Sequence, residues 1–188
     1  MLGERARSRP ICIDTAASSV DVAFKALVVG VVAHAFYKSA LFLVVGSIDH
    51  QAGTRELGEI GGIGRRMPFP AAAALMAALS MAGFPLFLGF IGKEIMYKGA
   101  LTEEFFPQMA TLAALVANAL MAAVSGTLAL RPFWGKKRAT QPIAEAPWQM
   151  WLGPLILGGI GLGFGMIPDW VGRMLVQPAV HAFHPTVE

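Results

Sequence analysis

The sequence predicts an all-α membrane protein with about four transmembrane helices, the second of which is broken. Of the 188 residues, 55% are hydrophobic and only 14% are charged, whereas charged residues make up about 25% of a soluble domain. The hydrophobic residues also fall into runs long enough to cross a hydrocarbon core, which takes about 20 residues. Several such runs make the chain polytopic, and no stretch between them is long enough to fold a soluble catalytic domain.

Four apolar segments are the predicted spans, at residues 22–48, 69–97, 108–130 and 148–167. The Ala, Ser, Gly and Asn118 content of the third favours close helix packing. Tryptophans bound the fourth, as they do at membrane interfaces. Together the spans form one predicted membrane domain, residues 20–168. It is preceded by a polar leader expected to be disordered, residues 1–19, and followed by a mildly amphipathic interfacial tail, residues 169–188.

The second span contains Gly83, Phe84 and Pro85 near its middle. Proline removes a backbone donor and clashes with the preceding turn, while glycine permits backbone torsions that other residues avoid. In lipid, carbonyls freed in this way are tolerated only where protein or a water-filled cavity satisfies them. We therefore predict a helix break at these three residues that faces the protein interior.

Lysine and arginine residues concentrate in two loops, residues 49–68 and 131–147. These loops hold seven of them, against two on the opposite side (Lys98 and Arg173) when the leader is left out. Basic loops face the cytoplasm, so both are predicted to be cytoplasmic in a multi-pass protein of the plasma membrane. The three leader arginines argue weakly against this. Basic residues confined to short loops do not indicate a nucleic-acid partner.

His34 and Lys38 lie inside the first span, four residues apart, and so share one face of a helix. Histidine takes and gives a proton near neutral pH, and lysine changes its protonation readily when buried. Together they indicate two stations of a proton relay. The alternative is that His34 bonds a neighbouring helix while Lys38 extends to an interface, which is difficult from the middle of a span.

Three further ionisable residues, Lys25, Lys93 and Glu94, are also candidates. Lys93 follows the break by eight residues and is either a third proton carrier or an interfacial lysine beside Glu94. Lys25 lies at the mouth of the first span, where an interfacial anchor is the simpler interpretation. We keep Lys25 and Glu94 as secondary candidates.

Other chemistries find little support in the sequence. The single cysteine, Cys12, excludes an internal disulfide and a cysteine-built metal site. No Ser/His/Asp arrangement or metal-spaced carboxylate pair is present, and His181 and His184 lack companions for a metal. The glycine-rich stretch from Gly58 to Gly64 follows no buried strand, so it is interpreted as a flexible loop and not a nucleotide site. We expect no enzyme activity, cofactor or metal.

Three motifs occur in order along the chain: HAFYKSALFLVVGSIDHQAGTREL, GGIGRRMPF and AALSMAGFPLFLGFIGKE. With them the chain resembles the antiporter-like membrane subunits of respiratory complex I and of Mrp-type cation/proton antiporters. The segment IDHQAGTREL looks more like the A subunit of the Mrp-type multisubunit sodium/proton antiporters. The resemblance extends through LVANALMAAVSGTLALRPFWG, so it covers about residues 22–135.

The resemblance implies a larger helix bundle with inverted repeats, each containing a broken helix. This chain would be a C-terminal fragment of that antiporter domain, lacking the first half-channel. It implies that His34 and Lys38 are connecting residues of the second half-channel and that Lys93 is its terminal lysine. It also implies a hetero-oligomer with other antiporter subunits in the lipid bilayer, exchanging protons and sodium ions. Where complex I relatives often carry a second histidine, this chain has Gly30.

Two alternatives remain open at this point. One is the homologous subunit of an NADH:quinone oxidoreductase or a membrane-bound hydrogenase, which couples redox energy to proton pumping. The other is a truncated remnant that inserts into the membrane and conducts nothing. In the remnant, substitution of Lys38 or Lys93 would leave transport unchanged.

Overall fold

A computed structural model of the protein describes residues 11–54, 56–101, 106–136 and 144–183. In these residues the regular structure is helical throughout. The helices are α1 (Ile11–Ala52), α2 (Pro68–Ala82), α3 (Leu88–Leu101), α4 (Pro107–Trp134), α5 (Trp148–Met166), α6 (Pro168–Val171) and α7 (Gln177–Phe183), with a π-helical turn (Gly172–Val176) between the last two. This architecture confirms the predicted all-α class.

Three of the described helices, α1, α4 and α5, contain segments long and apolar enough to cross a membrane: Val20–Ala52, Pro107–Trp134 and Trp148–Met166. The remaining predicted span is divided between α2, with 15 residues, and α3, with 14. Neither half reaches the length of about 20 residues that a complete crossing needs. The second span is therefore broken where the sequence predicted.

Helix α1 is longer at its N-terminus than the predicted first span. It begins at Ile11, so residues 11–19, which we assigned to the leader, belong to this helix. Between Pro10 and Gly30 the sequence contains no proline or glycine, and nothing in the backbone chemistry stops the helix from extending. Residues 1–10 lie outside the described residues.

Helix α1 is the centre of the bundle and packs against α2, α3 and α5, while α2 also contacts α4 and α5. Two groups of buried residues hold these helices together. The end cluster joins the loop before α2 to the last turns of α1 and α4, and it includes Val44, Ile48, Ile60, Ile63, Met67 and Phe133. The break cluster surrounds the interruption between α2 and α3, and it includes Ala33, Tyr37, Leu41, Ala77, Met81, Leu88, Val171 and Val176.

The loop between α1 and α2 packs on the C-terminal end of α4. Backbone N–H groups of Ile63 and Gly64 donate to the carbonyls of Pro132 and Phe133, at 3.2 and 2.9 Å. Ile63 is also buried in the end cluster, so the glycine-rich loop is packed and not the flexible loop we expected. The two basic loops thus meet at one end of the bundle, because the loop after α4 starts from the same place.

The segment after α5 folds back onto the bundle. Val171 and Val176 are buried in the break cluster, and the ring of Trp170 lies 5.4 Å from that of Phe164 in α5. The described part of the predicted interfacial tail therefore buries one of its faces against helices α1 and α5.

Candidate functional site at the helix break

Helix α2 ends in a left-handed cap at Gly83, where φ is 80°. The N–H of Gly83 donates to the carbonyl of Ser80 at 3.1 Å, and the N–H of Phe84 donates to that of Leu79 at 2.9 Å. This pair of bonds is the Schellman arrangement, which satisfies two of the carbonyls at a helix end. The carbonyls that follow need other donors.

Lys93 supplies one of those donors from α3. Its Nζ donates to the carbonyl oxygen of Met81 at 2.8 Å. Its stem lies over Gly83, where an added Cβ would sit 2.6 Å from the lysine Cδ, so a side chain at residue 83 would displace the lysine. A cation at the carbonyl end of a helix also interacts favourably with the helix dipole. The carbonyl end of α2 is therefore bonded by a lysine from α3, whereas Phe84 and Leu86 in the break itself are exposed, so the inward orientation that we predicted for the break is not what these residues show.

Two more backbone features hold the break in place. Leu86 has φ of 79°, a conformation that is an uncommon exception for residues other than glycine. Gly165 of α5 approaches so closely that an added Cβ would lie 2.6 Å from the Cα of Phe87. Neighbouring helices thus determine the path of the chain through the break.

His34 lies on α1, and its side chain is exposed. Its Nδ1 is 2.9 Å from the hydroxyl of Tyr37, and the two rings meet edge to face with centroids 5.1 Å apart. Tyr37 is 7% exposed and belongs to the break cluster. The histidine is therefore anchored on one nitrogen by a buried side chain.

A cavity of about 1010 Å³, which we call the groove, runs between α1, α3 and α4. Most of its lining is small or apolar. The side chains with polar groups that line it are His34, Tyr37, Lys93 and Asn118. The fold thus brings His34 and Lys93, which come from different helices, onto one surface.

The other predicted residues lie elsewhere. Lys38 is half-buried on α1 and is not among the residues that line the groove. Lys25 pairs with Asp21 one turn earlier on the same helix. Glu94 pairs with Lys98 at 2.8 Å, in the Glu-before-Lys order that stabilises helices. The two secondary candidates therefore make local ion pairs on partly exposed helix surfaces.

Sequence reasoning missed Tyr37, although its position three residues after His34 places it on the same helix face. It also did not predict the bond between helices α3 and α4, in which the side-chain amide of Asn118 donates to the hydroxyl of Tyr97 at 2.8 Å. No group of three or more His, Cys, Asp or Glu residues in the described part of the chain could hold a metal ion.

A bundle of apolar helices with a discontinuous helix, bonded at its break by a lysine that lines a groove, is typical of membrane-embedded proteins of the transporter class. Residues 13–121 match the family model described as NADH:quinone oxidoreductase/Mrp antiporter, transmembrane region. The chain belongs to this family.

Similar proteins point to one branch of it. The A subunit of the Na(+)/H(+) antiporter of Alkalihalophilus pseudofirmus is 32% identical over 90% of this chain and 23% of the relative. The corresponding antiporter protein of Bacillus subtilis is 30% identical over 88% of this chain and 22% of the relative. The solved Mrp complex from Dietzia sp. matches with a TM-score of 0.64 and 30% identity, over 86% of this chain and 17% of that one. The chain thus spans less than a quarter of each of these proteins, and the relatives are named as antiporter subunits and not as enzymes.

Proposed function

We propose that this chain is the later part of a proton-translocating membrane subunit of a multisubunit Na⁺/H⁺ antiporter, and that His34, Lys38 and Lys93 carry protons through its second half-channel. The observation that supports this most directly is the bond from Lys93 to the carbonyl of Met81 at the break. The same lysine lines the groove together with His34.

Energetics favours a functional role for these side chains. A lysine in the middle of a membrane costs about 2.5–3.5 kcal/mol on insertion scales, so such residues mark ion pathways more often than structural positions. At the break, a backbone carbonyl and a groove compensate part of that cost for Lys93. Histidine and buried lysine are both side chains that change protonation under ordinary conditions.

In the proposed path, protons pass between the groove-lining His34 and Lys93 through water in the groove. Lys38 lies one turn from His34 on α1 and would extend the path beyond the groove. Sodium exchange, and the partners that carry it, would belong to an assembled complex of several subunits. The similarity to the A subunits of Na(+)/H(+) antiporters supports this arrangement.

We further propose that the protein is a multi-pass protein of the plasma membrane with residues 20–168 as its membrane domain. Both basic loops, residues 49–68 and 131–147, would face the cytoplasm. Their seven lysines and arginines and their meeting at one end of the bundle support a common side.

The test is sodium-driven proton flux in everted vesicles that contain the assembled complex. His34→Ala, Lys38→Ala and Lys93→Ala are compared with the parent at matched expression. Lys98→Ala is the control, because Lys98 lies on the same helix as Lys93 but pairs with Glu94 on an exposed surface. We expect each relay variant to lose flux by about 10²-fold or more, the usual contribution of a proton-transfer group. Full flux in all three, with an intact complex, would leave the chain as a scaffold and refute the proposal.

A further inference from the structure

The pair formed by His34 and Tyr37 joins the groove to the buried interior. Both side chains line the groove, and the tyrosine, at 7% exposed, also lies in the break cluster with Met81 and Leu88. The only polar contact the described structure gives the imidazole is the 2.9 Å approach of Nδ1 to the tyrosine hydroxyl. The tyrosine is fixed by packing, so the ring of His34 is held from one side.

The chemistry of the two groups allows two arrangements. A neutral imidazole carries its proton on one nitrogen and accepts with the other, and a phenol can either donate or accept. If the phenol donates to Nδ1, then Nε2 carries the proton and has no free lone pair. If Nδ1–H donates to the phenol oxygen, then Nε2 is free to accept.

We infer that Tyr37 is a positioning residue whose hydroxyl oxygen accepts a hydrogen bond from Nδ1–H of His34, which makes Nε2 the nitrogen that exchanges protons with the groove. The charged imidazolium carries hydrogen on both nitrogens, so this bond is the one arrangement that both charge states share. A proton from groove water adds to Nε2 and later leaves from Nε2 to the next acceptor. The Nδ1 proton stays in place throughout, and the ring does not have to turn.

The surroundings of His34 support this assignment. Among the described residues that line the groove, the other ionisable groups are Tyr37 on the same helix and Lys93 on α3, while α4 contributes the uncharged Asn118. On α1, Lys38 lies one turn away and is half-buried. None of these lining residues is a carboxylate that could compete with the phenol for Nδ1–H, and an ammonium cannot accept a hydrogen bond.

The importance of this bond for transport rests on the proposed function, but the bond itself can be tested separately. The complex is labelled with ¹⁵N-histidine and studied by solid-state NMR in lipid bilayers, where nitrogen shifts report which ring nitrogen carries hydrogen. The His34 signal is assigned by its loss in His34→Gln. Tyr37→Phe removes only the hydroxyl, and Tyr97→Phe is the matched control, because that hydroxyl bonds Asn118 instead.

We expect neutral His34 to carry its proton on Nδ1 in the parent and in Tyr97→Phe, and to change in Tyr37→Phe to the Nε2–H form, which a histidine side chain in water prefers. A parent ring that is protonated on Nε2, or an Nδ1–H form that persists in Tyr37→Phe, would overturn the inference. We also expect Tyr37→Phe to lower proton flux by about five-fold, the population effect of one ordinary hydrogen bond, and to change the pH profile of the flux.

The two measurements separate the two ideas. If His34→Ala abolishes flux and Tyr37→Phe leaves the protonated nitrogen unchanged, then the relay stands and the role of Tyr37 is wrong. If Tyr37→Phe changes the protonated nitrogen and His34→Ala transports normally, then Tyr37 positions the ring and the proposed relay is wrong.

Discussion

Gly89 offers a direct test of how tightly the two halves of the broken helix are held together. It lies in the first turn of α3 against the backbone of Ser80 in α2. A Cβ added at Gly89 would lie 2.8 Å from the carbonyl carbon of Ser80, and closer still to its oxygen. Carbon atoms pack at about 3.5–4.0 Å, so Gly89→Ala must separate the halves by about 1 Å. The positions of the added Cβ and of the Ser80 carbonyl are both fixed by the backbone, so no rotamer change can relieve the clash.

The expected cost follows from opposing effects. Forcing extra volume into a packed site costs about 1–3 kcal/mol, and this backbone clash belongs at the upper end. Replacing glycine by alanine in a helix returns about 0.5–1 kcal/mol, which leaves a net loss of about 2 kcal/mol. Gly92→Ala is the matched control on the same helix, because its added Cβ would meet Gly30 at an ordinary 3.5 Å. That variant should be as stable as the parent or slightly more stable.

The measurement is thermal unfolding of the purified complex in detergent, with proton flux recorded on the same preparations. We expect Gly89→Ala to melt below the parent and Gly92→Ala to melt at or above it. Equal melting temperatures for the two variants would show that α2 and α3 are not in close backbone contact, and the reasoning would be refuted.

Three further predictions concern single positions. Gly83→Ala should destabilise the complex by about 1–2 kcal/mol, the cost of a left-handed conformation with a side chain, and should lower flux; unchanged melting would contradict the observed cap. Burial raises the pKa of the Glu145 carboxyl, against an opposing hydrogen bond from the backbone of Ala146. The folded state therefore keeps a proton that the unfolded state loses, and stability falls as pH rises from the ordinary carboxyl pKa through the raised one. Glu145→Gln should remove this fall, as unfolding measured across pH will show, and an identical pH dependence in both proteins would contradict it. Gly61→Ala should speed proteolysis of the loop before α2, because its Cβ would lie 3.1 Å from the carbonyl carbon of Lys136, whereas equal cleavage in this variant and the parent would contradict that packing.

The local features of the fold could be predicted from the sequence because they depend on neighbouring residues. Glycine followed two positions later by proline predicts a helix break, and the break lies at Gly83–Pro85 as expected. Long apolar runs predict spans, and α4 and α5 cover the predicted segments. The start of α1 at Ile11 was missed, because polar residues in the leader suggested disorder while no helix-breaking residue was present to end the helix.

The tertiary partners could not be predicted in the same way. No local pattern indicates that Lys93 donates to the carbonyl of Met81, which lies twelve residues earlier across the break. The resemblance predicted that Lys93 belongs to the site, but its acceptor depends on how α3 folds back beside α2. Similarly, the shared groove of His34 and Lys93 depends on the packing of α1 against α3, and the sequence gives no signal for Lys38 lying away from it.

The break and the lysine bonded to it are physically coupled. The carbonyl end of α2 favours a positive charge, while removal from water opposes one, so the charge on Lys93 is the result of two opposing effects at one place. Moving α3 relative to α2, or changing the charge on a group in the groove, alters one effect without the other. We therefore expect a lysine in that position to respond to small changes nearby, as the proposed relay requires of its terminal residue. The same lysine on an unbroken helix would have no freed carbonyl to bond, because every backbone oxygen beside it would already accept an intrahelical bond.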